Sequence, residues 1–333
     1  LGQIAKLVFI SFALTTLTAQ PDTAYAETNM RKASYSTEFV DIRTADLEVV
    51  RHYDSRSLYN GLFGFGWCSN LESTLKRGLS GEWRLSHCDH HSHPTQALRS
   101  KDGWATKEGE TRMTFDPSGR LLSLTRDKGE TLALIYGPTG LLRGAATGRG
   151  KEMRLELDDT NRKVTAVKFA GKSAAYKYQN QDLISVTNSW ANEFTFHYDS
   201  LHNLISTNYP DDTKETMTYD ADLDRLLSYR ERNGCKEVYD YRGSTHLTAT
   251  SVKYCVGKPQ VKSTFEFWHH KQANGKYVLE RSRVTQGTIS VAMTFHPKTG
   301  AVIAKTQVRN SDGRFPALST SNITKIETDG DDR

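Results

Sequence analysis

The segment His87-Cys88-Asp89-His90-His91-Ser92-His93 carries the densest set of metal donors in the 333-residue chain. Neutral imidazoles beside a carboxylate are donors that zinc and copper take, with Asp89 as a ligand or as an orienting partner. On an extended backbone alternate residues share a face, so His91 and His93 would point together. The competing reading is a wet loop beside a disulfide, its rings aimed apart, and both readings stand at this level. His269-His270 has no carboxylate pattern nearby and is a weaker candidate. Trp67, Trp83, Trp104, Trp190 and Trp268 are possible stacking surfaces for sugar rings, although burial is the commoner fate of a large aromatic. Trp190 lies between Asn188-Ser189 and Ala191-Asn192, a turn composition, and is the ligand-contact candidate. No catalytic residue is assigned and no cofactor is expected. The chain lacks Gly-x-Ser-x-Gly, His-Glu-x-x-His and a phosphate-cradling glycine loop. Asp158-Asp159 and Asp211-Asp212 fall at turns, where capping accounts for them.

These residues sit in a repeating chain. Phe115, Tyr136, Leu157, Tyr178, Tyr198, Tyr219 and Tyr239 end similar short apolar runs, at separations of 21, 21, 21, 20, 21 and 20 residues. Such regularity has to be read before any local pattern. Within a run the apolar residues alternate, as in Phe194, Phe196 and Tyr198, which places them on one face of a strand. Turn residues follow, such as Pro117-Ser118-Gly119, and then a second apolar stretch such as Leu121-Leu122. Strand, turn and strand make a hairpin of about 20 residues. One hairpin cannot bury its own apolar face, so neighbours must stack into a long antiparallel sheet. The recurring Tyr and Asp are assigned structural use, the ring in the sheet and the carboxylate on turn amides. Beyond Tyr239 the interval grows to 28 residues, to Phe267 and then Phe295, and the longer loops near Lys258-Pro259 and Asn274-Gly275 should protrude.

Cys68 and Cys88 are 20 residues apart, as are Cys235 and Cys255. Four cysteines allow three pairings. Positions one period apart sit on equivalent strands or facing turns, so Cys68–Cys88 and Cys235–Cys255 disulfides are expected in an oxidising compartment. No Cys-x-x-Cys is present for redox exchange, and the spacing is too long for a typical four-thiolate zinc site.

Lys6, the apolar run Leu7 to Ala19 and Ala24-Tyr25-Ala26 have the order of a secretory signal with cleavage after Ala26. Its 13 apolar residues are too few to span a bilayer, which needs about 20. Lys and Arg number 44 against 39 acidic residues, net +5, without a basic tract, so neither nucleic acid nor stable membrane insertion is expected.

Phe115-Asp116-Pro117-Ser118-Gly119-Arg120-Leu121, with looser copies at Tyr198-Asp199, Tyr219-Asp220 and Tyr239-Asp240, resembles the unit of the RHS/YD-repeat family. Leu62-Phe63-Gly64-Phe65-Gly66-Trp67 resembles the segment that introduces an RHS shell. The resemblance implies a ribbon of hairpins wound into a hollow shell, which in large bacterial members encloses a toxin released by self-cleavage. This sequence has no Asp-Pro-Leu-Gly-Leu boundary and no long cargo region, which argues against a self-cleaving toxin carrier.

The expected fold is all-β, tandem hairpins in a long antiparallel, wound or partly closed sheet. Its segments are a signal over 1–26, introductory strands and a plug or linker over 27–110, regular repeats over 111–245, longer degenerate hairpins over 246–310 and a tail over 311–333. Residues 93–104 belong to the plug. The expected function is that of an exported binding or structural module, without catalysis, in the bacterial periplasm or outside the cell. Its partner would be a protein or a surface or envelope glycan. One alternative is a shell fragment or cap that pairs with itself or another chain through sheet edges. The other is a hydrolase or lyase acting on an envelope polymer with carboxylates drawn from distant repeats.

Overall fold

The computed structural model describes residues 25–44, 47–78, 81–88, 91–126, 130–158, 160–243, 246–273, 275–297, 300, 302–309 and 324–325. The expected signal up to residue 24, Asp89, His90, Asp159, Asn274 and nearly all of the tail lie outside them, as does the side chain of His91. Every regular element among the described residues is a β-strand, and no sheet closes into a barrel. The chain forms two compact units, divided between Lys214 and Glu215, with Met30–Ala33 belonging to the second.

In the first unit, Tyr25–Asn29, Ser34–Arg43, Glu48–Asp54 and Trp67–Ser69 form one sheet. Its first strand includes Tyr25 and Ala26, paired with Glu38 and Thr37, two residues that the expected cleavage would remove. Ser73–Arg77, Trp83–His87 and His91–Pro94 form a second sheet. The hairpin ladder then begins at Leu98–Ser100, inside the segment read as plug or linker, and runs in strict sequence order to Leu204–Asn208. Within the second unit the strands from Lys214–Tyr219 to Val302–Arg309 pair antiparallel in sequence order.

Alternation dictates the faces: in Glu152–Asp158, Met153 and Leu155 are buried while Arg154 and Glu156 are exposed. The alternation is reset at the anchors. A register shift falls immediately before Phe115, Tyr136, Leu157, Tyr178, Tyr198 and Tyr219. Such a bulge turns the strand end and re-aims the side chain that follows it. The re-aimed tyrosines reach back one hairpin: Tyr136, Tyr178 and Tyr198 donate their hydroxyls to the carbonyls of Leu121, Val164 and Leu183, at 2.6, 2.8 and 2.8 Å. In the seventh unit the reaching residue is Tyr241, 2.8 Å from the Leu226 carbonyl, rather than Tyr239. Lys236–Arg242 pairs with the next strand without a bulge, so Tyr239 keeps strand parity and is buried instead. Burial pushes the Tyr136 hydroxyl up to about 12 and those of Tyr198 and Tyr241 higher still, so all three remain donors.

The aspartates after the anchors organise the turns. Asp116 accepts from the backbone N–H groups of Ser118 and Arg120 and from Arg120 Nε at 3.0 Å, and the Arg120 guanidinium then lies 4.3 Å over the Tyr136 ring. Asp220, Arg225 and Tyr241 repeat this arrangement. Gly119 closes the first of these turns at φ +89°, and a Cβ there would stand 1.8 Å from the Leu75 carbonyl oxygen, so only glycine fits.

Burial opposes ionisation of Asp116 and Asp220, but the donors at each outweigh it, and Asn161 with the turn amides does the same for Asp158; all three carboxyls are held below their ordinary value. Carboxyls depressed by folding add stability above their unfolded pKa, near 3.9, and that stability is lost as pH falls through their folded values. Thermal melts should therefore be flat above about pH 5 and fall steeply below about pH 4. An Asp116→Asn, Asp220→Asn double variant should show a shallower acid limb; an unchanged limb would remove these turns from the explanation.

The N-terminal sheet packs onto the ladder within the first unit. Phe39 contacts Phe194, Phe196 and Tyr209, while Trp67 stacks on Tyr53 and Phe196 and donates from Nε1 to the Tyr198 hydroxyl at 2.8 Å. At the centre Arg51, fully buried, makes a two-point contact with Asp41 at 2.5 and 2.9 Å, and Tyr176 donates to the same carboxylate at 2.9 Å. Burial works against the Arg51 charge and Asp41 more than offsets it, holding the guanidinium above its ordinary value. Trp67, Phe39, Tyr176 and Phe196 ring faces surround the cation at 4.6 to 5.7 Å.

Candidate functional site

The first unit holds a cavity of about 310 Å³ where the introductory strands, the three-stranded sheet and the start of the ladder meet. Its wall combines the apolar Leu47, Val50, Met113, Leu124 and Leu132 with Ser73, His87 and four glutamates, Glu38, Glu48, Glu108 and Glu130. Ser73 and His87 are directly paired residues of adjacent strands, and Ser73 Oγ lies 2.8 Å from His87 Nδ1. The other ring nitrogen of His87 lies 2.9 Å from Glu108 Oε2. His93 Nε2 is 3.3 Å from Glu108 Oε1. Burial lowers the His93 pKa despite Glu108, with His87 and Arg84 adding to the effect.

His87 and His93 are thus brought together, on a glutamate that the local histidine cluster did not point to. Among the described residues no group of His, Cys, Asp and Glu is arranged to hold a metal ion. Each imidazole instead engages its own oxygen of one carboxylate. Ser73 and Glu108 gave no signal in the sequence because they lie 14 residues before and 21 residues after His87. Only the strand register joins them.

Both cysteine pairs one period apart are bonded, Cys68 to Cys88 across 5.8 Å between Cα atoms and Cys235 to Cys255 across 4.4 Å. Cys68–Cys88 is buried beside the cavity wall, next to His87. Crosslinks closing loops of this length stabilise by roughly 3 kcal/mol each. A Cys235→Ala, Cys255→Ala variant should lose about that much in urea denaturation and become insensitive to dithiothreitol at this bond. A loss below about 0.5 kcal/mol would mean that the turns are held without it.

The second unit carries a recess of about 370 Å³ beside Cys235–Cys255, lined by Arg230, Lys236, Tyr254, Val256, Lys258 and other residues of the two turns. Tyr254 is 44% exposed and Val256 wholly so, and the segment 256–260 protrudes as its composition predicts. Trp190 is half-buried in its turn, with Lys172 Nζ 5.2 Å from its ring, so one face is already taken. Trp268 is packed against His246, Arg281 and Arg283.

This is an all-β protein of stacked hairpins, with an N-terminal sheet seated on the ladder of its first unit. No family model matches the chain, and no curated protein does. Solved structures that it resembles include the Tc holotoxin pore of Photorhabdus luminescens with a mutation in TccC3, at 13% identity and TM-score 0.26, covering 83% of this chain and 16% of that one. A TcdB2-TccC3-Cdc42 structure gives 13% identity and TM-score 0.26 over 83% of this chain and 17% of that one. A TcdB2-TccC3-TEV structure gives 10% and 0.24 over 84% and 22%. The chain spans less than a quarter of each, and a likeness at this TM-score carries nothing about function. Two disulfides fit an exported protein. Among the described residues no helix is long and apolar enough to cross a membrane.

Proposed function

We propose that the chain is an exported RHS-like repeat module, of the bacterial periplasm or the extracellular space, that works by contact with a protein partner. The observation that carries this reading is the recess of the second unit. Tyr254 and Val256 expose apolar surface at a strand end and turn fixed by a disulfide. Arg230, Lys236 and Lys258 ring it, and no acidic side chain is among its lining residues. A preformed apolar centre with a cationic rim suits a partner surface that is apolar and acidic.

A photo-crosslinking residue at position 256, in the full chain produced in its own host, tests it. The expected result is one discrete adduct that disappears when Lys236 and Lys258 are changed to Glu. Adducts spread over many proteins, or none, would overturn the reading. A glycan partner would instead show as binding to immobilised sugars that is lost in Trp190→Ala. The shell-cap alternative draws on Leu98–Ser100, which begins the ladder, pairs on one side alone among the described residues and exposes Leu98. It requires mass in light scattering to rise with concentration.

A further inference from the structure

We propose that Ser73 and His87 form a serine acyl-hydrolase site in the cavity of the first unit, with Glu108 positioning the imidazole and small neutral esters as substrates. This goes beyond a contact role and rests on different residues. A serine nucleophile needs a base within about 2.6–3.2 Å and a third group that orients the base. Ser73 Oγ to His87 Nδ1 at 2.8 Å and His87 Nε2 to Glu108 Oε2 at 2.9 Å meet both requirements. All three residues line one cavity, so a substrate carbonyl has space beside the nucleophile.

The hydrogen bonds also set the tautomer. Ionised Glu108 has no proton to give, so Nε2 carries the hydrogen and donates, leaving the Nδ1 lone pair to accept from the Ser73 hydroxyl. Either imidazole nitrogen can serve as the base once the other is held by an acceptor. Glu108 is itself held from its second oxygen by His93. Ser73 is only 3% exposed, so the cavity is the route to it.

The step balances without any further cofactor. Ser73 Oγ adds to the ester carbonyl carbon as its proton passes to His87 Nδ1; the carbon–oxygen bond to the leaving group breaks as His87 returns that proton to the departing alcohol. The acyl group is then on Ser73. Water adds to the same carbon and gives a proton to Nδ1; the carbon–Oγ bond breaks, Ser73 regains the proton and the carboxylic acid leaves. The wall selects the substrate: Leu47, Val50 and Met113 favour a short apolar acyl chain, and the four glutamates disfavour an anionic one.

The test uses the full chain with a fluorophosphonate probe and with p-nitrophenyl acetate. The expected result is a single adduct, located on Ser73 by peptide mass mapping. Ester hydrolysis should fall by about a hundredfold or more in Ser73→Ala. Glu108→Gln should keep the serine and its labelling yet lower kcat with KM little changed, because the imidazole loses the carboxylate that orients it. A Glu108 that only shapes the wall would change KM and leave kcat in place. No adduct on Ser73, or an adduct on another residue, overturns the proposal in the unaltered protein, whether or not a variant folds. Ser73→Ala with undiminished hydrolysis and an unchanged circular dichroism spectrum overturns it as well.

Discussion

Changing Arg51 to Met should lower the free energy of unfolding by about 3–5 kcal/mol, because it leaves the Asp41 carboxylate buried with only the Tyr176 hydroxyl and no opposite charge. Asp41→Leu should cost a similar amount by stranding the guanidinium among aromatic rings. The double variant is the informative one. Water-to-interior transfer of two charges is costly, so replacing both by apolar side chains should recover most of the loss. Urea denaturation of the three proteins at neutral pH measures this. Additive losses in the double variant would mean that the residues act independently, against the two-point geometry.

Trp67→Ala should cost about 3–5 kcal/mol, as expected for emptying a fully buried aromatic site. Trp67→Phe separates the contributions. It keeps a ring against Tyr53 and Phe196 but removes the Nε1 donor to Tyr198 and the larger face beneath Arg51, and should cost about 1–2 kcal/mol. The same denaturation series reads both. A Phe variant as unstable as the Ala one would place the stabilisation in what the indole alone supplies, its hydrogen bond and its face beneath Arg51, and not in a ring against Tyr53 and Phe196.

Much of the architecture is legible in the chain because it depends on neighbours. Alternation at Met153 and Leu155, the turn after Phe115 and the period from anchor to anchor are local facts, and the all-β antiparallel ladder follows from them. The bulges were not legible. They move Tyr136, Tyr178 and Tyr198 out of strict alternation, and strict alternation puts Tyr198 with Phe194 and Phe196. Tyr239 fits the anchor spacing, yet Tyr241 is the residue that reaches back, because the absence of a bulge is a property of the pairing.

The candidate site was less legible still. His87 and His93 stand out by composition, as imidazoles in a histidine-rich segment. Their shared partner, Glu108, comes from a strand of the ladder, and Ser73 comes from the strand paired with that of His87. Arg51 and Asp41 carry no mark of burial in the sequence. Their burial follows from the ladder that covers them.

The distance along the chain between Trp67 and Tyr198 has a consequence for synthesis. The aromatic face carried by Phe39, Tyr53 and Trp67 leaves the ribosome early, but Tyr198, one of the residues that cover it, follows 131 residues after Trp67. At about 5–20 residues per second the interval is of the order of ten seconds, longer than small chains take to collapse. During that time the nascent segment presents bare indole and phenyl surface to whatever accompanies it, so its escape from aggregation depends on a holding factor or on how quickly the later hairpins arrive.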